Sequence, residues 1–263
     1  MSTHIDVLMG DYESCVRYNN EAIHADDEAI RHSPLTAGTQ SFYFAYIVHD
    51  YHMLVYGAIL GGMETKAMEI AKKLNETLTE DMFAENENLT VLLEAYAALD
   101  IHVMVRFGRW NEILGLQAPR NKHLMLFRSS SLLFARALAH ANLGDIALAK
   151  KEADRFDSLR KDPLAEEHIL HNNSVSALLA VDAPMLRGEI AYREGKHDKA
   201  FQLLREAVQL QDNLRYDEPW GKMQPIRHAL GGLLLEQGHL NEAEDVFRQD
   251  LNFIQRILGV LLA

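Results

Sequence analysis

Histidines carry the most evident chemical capacity in this chain. His49 and His52 stand three apart in IVHDYHMLVYGAIL, so on a helix both imidazoles project from one face. If His4 joined them, with Asp26 or Asp27 nearby, the three imidazoles could bind zinc or another divalent ion. No HExxH motif accompanies them, and hydrogen-bonded or packing histidines are the plainer reading. His168 and His171 in EEHILHNN repeat the i, i+3 spacing behind two glutamates, which permits a metal on a helix face but suits a solvated surface better.

The segment LRYDEPW at 214–220 crowds aromatic, acidic and proline residues into a break between helices, with Arg227 just inside the next one. Tyr216, Glu218 and Arg227 could close one end of a groove around a ligand; alternatively Tyr216 and Trp220 cap the adjoining hairpin while Arg227 pairs with Glu218. The serines form no nucleophile elbow, and no glycine-rich phosphate loop follows a strand, since no strands are expected. Nucleotide-dependent enzymes are thereby excluded, and no cofactor motif is found.

The elements that must position these residues announce themselves through a recurring pattern: a glycine followed five residues later by a small or apolar residue. It occurs as Gly10 to Cys15, Gly62 to Ala67, Gly108 to Ile113, Gly144 to Ala149, Gly195 to Ala200 and Gly238 to Ala243. Each glycine ends one amphipathic stretch and precedes another, as a helix terminus needing positive φ requires. Ala200, Leu203, Leu204 and Ala207 recur at helical spacing, so each unit reads as a helix hairpin. The array is irregular, with its glycines 36 to 52 residues apart. Pro34, Pro119, Pro163, Pro219 and Pro225 fall in the breaks at 32–40, 116–123, 162–163 and 211–225, and Pro184 is expected near the first turn of its helix. Only nine residues precede Gly10, which shortens the first hairpin and would leave Ile5, Val7 and Leu8 for a partner to cover.

Composition supports an all-α chain of 263 residues forming one domain, at 48% hydrophobic residues with few prolines and glycines. A formal charge of -12 without a Lys/Arg cluster argues against a nucleic-acid surface. The single cysteine, Cys15, reads as a core residue and points to a reducing compartment. The N-terminus lacks the pattern of a signal peptide and no 18-residue apolar run is seen, so a soluble cytoplasmic protein without a membrane is expected. The apolar segment LNFIQRILGVLLA at 251–263 is expected to cover the last hairpin or to meet another chain.

These stretches resemble the tetratricopeptide repeat family, in particular a group of uncharacterised bacterial proteins with degenerate repeats. The likeness covers nearly the whole chain through GDYESC, VRFGRWNEIL, LFARALAHANLGDIALAKKEA, RGEIAYREGKHDKAFQLLREAV and LGGLLLEQGHLNEAEDVFRQDL. IVHDYHMLVYGAILGG and LRYDEPWGKMQPIR look like that group's hallmark segments, although Trp220 stands where the group carries a second proline and Asp50 where it carries asparagine. The resemblance implies a right-handed α-solenoid of about six antiparallel helix hairpins, the first truncated, whose inner face is lined by the first helix of each pair.

Transferred to this sequence, the inner positions hold His4, His49, His52, Tyr56, His102, Arg106, Phe134, Asn142, Glu189, Arg193, His228 and Glu236. The leading expectation is a binding or scaffold module holding a peptide, protein segment or small polar ligand at His4, His49, His52, Tyr56, His102 and Arg106, with Arg106 pairing a carboxylate. The alternative is a metal-dependent hydrolase or lyase built on His4, His49 and His52. A third reading is self-association through the open N-terminal edge or the C-terminal helix.

Overall fold

The computed structural model describes residues 2–34, 41–219, 221 and 223–261, with the side chains of Glu87 and of 252–261 set aside. Helices dominate the chain: α1 (Ser2–Met9), α2 (Tyr12–His32), α3 (Tyr43–Leu60), α4 (Glu64–Thr77), α5 (Glu80–Glu85) and α6 (Glu87–Leu93) come first. A 3-10 turn (Glu94–Ala98) leads into α7 (Leu99–Arg106), α8 (Trp110–Gly115), α9 (Leu126–Asn142), α10 (Ile146–Leu159) and α11 (Leu164–Glu167). After a short hairpin follow α12 (Val175–Arg193), α13 (His197–Asp212), α14 (Ile226–Glu236) and α15 (Leu240–Leu261).

The recurring glycines do what their spacing predicts. Gly10, Gly62, Gly108, Gly144, Gly195 and Gly238 all adopt positive φ, between 66° and 90°. At each, the amide after the glycine bonds a carbonyl five residues back, as in Asp145 to His140 at 2.8 Å, Met63 to Ala58 at 2.8 Å and His239 to Leu234 at 2.9 Å. Each glycine amide also closes on the residue three before it, so the last carbonyls of six helices are satisfied in the same way. Asp11 and Asp145 then cap the next helix by accepting the amides of Ser14 and Leu148, both at 3.0 Å.

The residue five after each glycine is buried in every case, and the two helices flanking each glycine pack together. Cys15 shows why that residue must be small: a Cβ added at Gly57 would lie 2.8 Å from its sulfur, so α2 and α3 nearly touch. Burial pushes the Cys15 thiol up to about 12, leaving it protonated and unreactive.

Four expectations need correction. Strands are present: Ile169–Leu170 (β1) pairs antiparallel with Asn173–Ser174 (β2), because α11 stops at Glu167 and Asn172 and Asn173 favour a turn. Pro184 lies in the interior of α12, which continues through it. Residues Asn88–Arg106 are long and apolar enough to cross a membrane by length and composition, with 72% of that stretch buried inside the protein. Glu94, Asp100 and His102 interrupt its apolar run, and Glu94 and Asp100 are themselves buried. Finally, Val7 needs no partner to cover it: it is buried within the chain, where α1 packs against α15, while Ile5 stays exposed.

Candidate functional site

α1 and α3 do bring His4, His49 and His52 together, and a fourth imidazole joins them. His171 sits at the tip of the β1–β2 hairpin with φ 52°, a left-handed backbone state that is uncommon outside glycine but that asparagine, aspartate and histidine take more often than other residues. The rings form a column: His4 stacks on His49 at 5.2 Å, His49 meets the edge of His171 at 5.6 Å, and His171 stacks on His52 at 5.3 Å. Tyr96 closes the inner end, 4.9 Å from His52.

Donor and acceptor chemistry fixes how the column is wired. His4 donates Nδ1–H to the Glu218 carboxylate at 2.7 Å, and His49 Nε2–H donates to the Glu218 carbonyl at 3.3 Å. The Met223 thioether can only accept, so His52 donates Nε2–H to it at 2.9 Å and offers its Nδ1 lone pair to His171 Nε2–H at 3.3 Å. Tyr96 Oη lies 3.2 Å from the same His171 nitrogen. Burial, followed by the neighbouring imidazoles, lowers the pKa values of His49 and His52 and takes His171 down to about 4.

The rings of the column are thus bonded to one another and to the 214–219 segment, the charged forms of His49, His52 and His171 are disfavoured, and both His52 nitrogens are used. Among the described residues no three His, Cys, Asp or Glu side chains are arranged to hold one metal ion. Asp26 and Asp27 serve elsewhere: Asp26 accepts from the Tyr43 hydroxyl at 2.6 Å and Asp27 pairs with Lys73 at 3.0 Å.

His168 and His171 do not share a solvated helix face. Both lie beyond the end of α11, and His168 is buried with Nδ1 3.6 Å from Glu94. Arg227 does not pair with Glu218; it makes a bidentate pair with Asp212 at 2.6 Å for both contacts, which leaves Glu218 to His4. Tyr216 remains part-exposed and Trp220 lies outside the described residues. Asp217, missed in the sequence, anchors the segment: nearly fully buried, it accepts the Asn172 amide at 3.0 Å and the Asn173 side-chain amide at 2.5 Å. The two adjacent asparagines after His171 are the signal that could have located this turn.

Openings lie beside these residues, as lined by the described ones. One, of about 400 Å³, lies between His4, Tyr56, Tyr216 and Glu218. A second, of about 590 Å³, is bounded by Tyr12, Tyr56, Asp212, Arg227 and His228. A third, of about 610 Å³, is lined by Arg106 on α7, Asn142 on α9, Glu189 and Arg193 on α12, and His228 on α14. Arg106 and Arg193 are exposed there. Burial, opposed by Arg193 and reinforced by Glu236, pushes Glu189 up to about 7. His102 lines a narrower cavity beside it, and its carbonyl accepts from Gln224 at 2.9 Å. The structure therefore separates the expected residues into a closed histidine column and an open arginine cleft.

No protein-family model matches the chain, and neither a curated protein nor a solved structure matches it.

Proposed function

We propose that this chain is a degenerate tetratricopeptide-type protein, a right-handed solenoid of about six helix pairs with a shortened first pair, and that it acts as a binding module in the cytoplasm. Six identically closed glycine turns support the repeat reading, and the lone buried thiol of Cys15 suits a reducing compartment. The ligand is a peptide, a protein segment or a small polar molecule presenting a carboxylate. The observation that carries this is the open cleft with exposed Arg106 and Arg193 contributed by two separate helices. Arginine's fork matches a carboxylate in two parallel hydrogen bonds, each charge-assisted contact being worth about 1.5–3 kcal/mol. The histidine column serves the fold in this reading, holding the 214–219 segment against α1 and α3.

Fluorescence polarisation with a peptide library bearing free C-terminal carboxylates, and the same peptides amidated, tests the proposal. Retained sequences should lose about tenfold or more in affinity on amidation, and to a similar degree in Arg106→Ala and Arg193→Ala. Equal binding of amidated peptides, or undiminished binding by both variants, overturns it.

A further inference from the structure

The opening bounded by Tyr12, Tyr56, Arg227 and His228 is built from both ends of the chain, with walls from α2 and α3 on one side and from α13, α14 and α15 on the other. Two side chains in it are more than nine-tenths buried and still have bonding capacity to spare. Gln211 is 6% exposed, and its side-chain oxygen accepts the Ile226 amide at 2.9 Å. A backbone N–H can only donate, so the oxygen is fixed there and the Gln211 NH2 group is left with no partner among the described residues. Tyr56 is also 6% exposed, and neither its hydroxyl nor that of Tyr12 has a hydrogen bond among the described residues. Burial, then the Asp250 carboxylate, push both phenols up, so they stay protonated and able to donate. Polar groups at such depth rarely go without partners, because desolvation is costly.

The charges around the opening are already matched. Arg227 holds Asp212 through both terminal nitrogens, and His228 bonds Asp250 at 3.1 Å. Two carboxylates face one arginine and one imidazole, so the opening carries no net positive charge in either state of His228, and each carboxylate has a partner. Neither an anion nor a cation finds an unpaired counter-charge, whereas the free donors match an uncharged oxygen with lone pairs to share, as in a carbonyl. The adjoining opening shares Tyr12, Tyr56 and Leu60 and continues over Val7, Met53 and Pro219, a largely apolar wall. We infer that the paired openings take a small uncharged carbonyl compound, an amide or ester with an apolar body, its oxygen at Gln211 and the tyrosine hydroxyls and its hydrocarbon along Leu60, Val7 and Met53. This site uses neither Arg106 nor Arg193 and stands apart from the carboxylate-binding reading above.

Calorimetric titration with hexanamide, hexanoate and hexylammonium tests it, because the three probes share a hydrocarbon chain and differ in the head group. Hexanamide should bind about tenfold or more tightly than either ion, which would have to shed its hydration without gaining a counter-charge. Acetamide should bind more weakly than hexanamide, by about fourfold for each methylene that the longer chain buries. Tyr56→Phe removes a donor and keeps the ring, so it should weaken hexanamide several-fold while the ligand-free melting temperature stays unchanged or rises. That combination is not expected of a merely structural tyrosine. Gln211→Glu keeps an acceptor for the Ile226 amide and removes the donor, so it should abolish the preference for hexanamide over hexylammonium. Arg106→Ala should bind hexanamide as the wild type does.

Either ion binding as tightly as hexanamide overturns the inference, as does failure of hexanamide to bind at millimolar concentration. Undiminished hexanamide binding by both Tyr56→Phe and Gln211→Glu overturns it too, and so does its loss in Arg106→Ala, which would put the amide in the arginine cleft. The arginine reading fails separately, if Arg106→Ala and Arg193→Ala retain carboxylate peptides.

Discussion

At the scale of the residue, the energetic consequence of the histidine column is pH dependence. The unfolded chain binds a proton at His171 near 6.5, whereas the folded chain holds that ring to about 4 through burial and then the charges of His49 and His4. Between those values the unfolded state takes up the proton and the folded state does not, so this contribution to stability is lost as pH falls, by at most about 1.4 kcal/mol per pH unit. Asp50 and Asp217, each raised to about 6, and Glu189, raised to about 7, act in the opposite sense, because the folded chain keeps protons there that the unfolded chain has released. The net profile mixes both, but the difference between wild type and His171→Asn isolates the imidazole, and asparagine tolerates the positive φ. Urea denaturation from pH 4 to 7.5 should give a wild-type minus variant stability that rises up to about 6.5 and is flat above it. Parallel curves would remove the imidazole from the account.

Glycines make a second prediction at this scale. Gly144 has φ 90° with open space where a Cβ would go, so Gly144→Ala costs only backbone strain, about 1–2 kcal/mol. Gly232 has equal space inside α14 and no positive φ, so Gly232→Ala should stabilise by about 0.5–1 kcal/mol. Its neighbour Gly231 should behave like neither, since a Cβ there would meet the Phe247 ring at 2.6 Å. Chemical denaturation of the three variants checks the order.

At the scale of the element, the β1–β2 hairpin and the 214–219 segment form a latch that closes over the histidine column. Asn173 carries it, donating to Asp217 and to the Arg215 carbonyl at 2.9 Å while its own side-chain oxygen accepts the Arg215 amide at 2.9 Å. Asn173→Ala strips those bonds and strands a buried carboxylate, which should cost about 1–3 kcal/mol. Hydrogen exchange should then quicken at Arg215 and Asn172 while the amide of Asp145, in a remote turn, keeps its protection. Unchanged exchange at Arg215 would refute the latch.

The latch also marks where the sequence stops being readable. The turns at Gly62 or Gly195 were legible because glycine, chain reversal and small residue all lie within six positions and follow local rules. His49 and His52 were legible as a pair for the same reason, and His4 through the hairpin repeat. His171 was not, because its partners His52 and Tyr96 are 119 and 75 residues away and only tertiary packing brings them in. Arg227 misled for a related reason: Glu218 is nearer in sequence, but Asp212, at the end of α13, is the carboxylate that faces it across the turn.

At the scale of the whole molecule, the ends of the chain are coupled. An open array of hairpins has stability that sums over neighbours, so its terminal units melt first and separately. Here α1 packs against α15, His4 on α1 bonds Glu218 in the segment between α13 and α14, and Tyr12 and Tyr56 share a cleft with Arg227 and Asp250. The first helix pair is therefore held from two directions, by α3 in sequence and by the C-terminal elements in space. Such closure adds long-range terms that an open array lacks, so unfolding should be a single transition. Cys15→Ser tests this, because it places a hydroxyl at a fully buried contact against Gly57 in the first pair. In a coupled molecule the variant lowers one common midpoint, read identically by hydrogen exchange at the Gly10 turn and at the Gly238 turn. In an uncoupled one, protection falls only at Gly10. Removing the His4 to Glu218 bond with His4→Ala should move the wild-type behaviour towards the uncoupled case, so that the Gly10 turn exchanges before the Gly238 turn begins to.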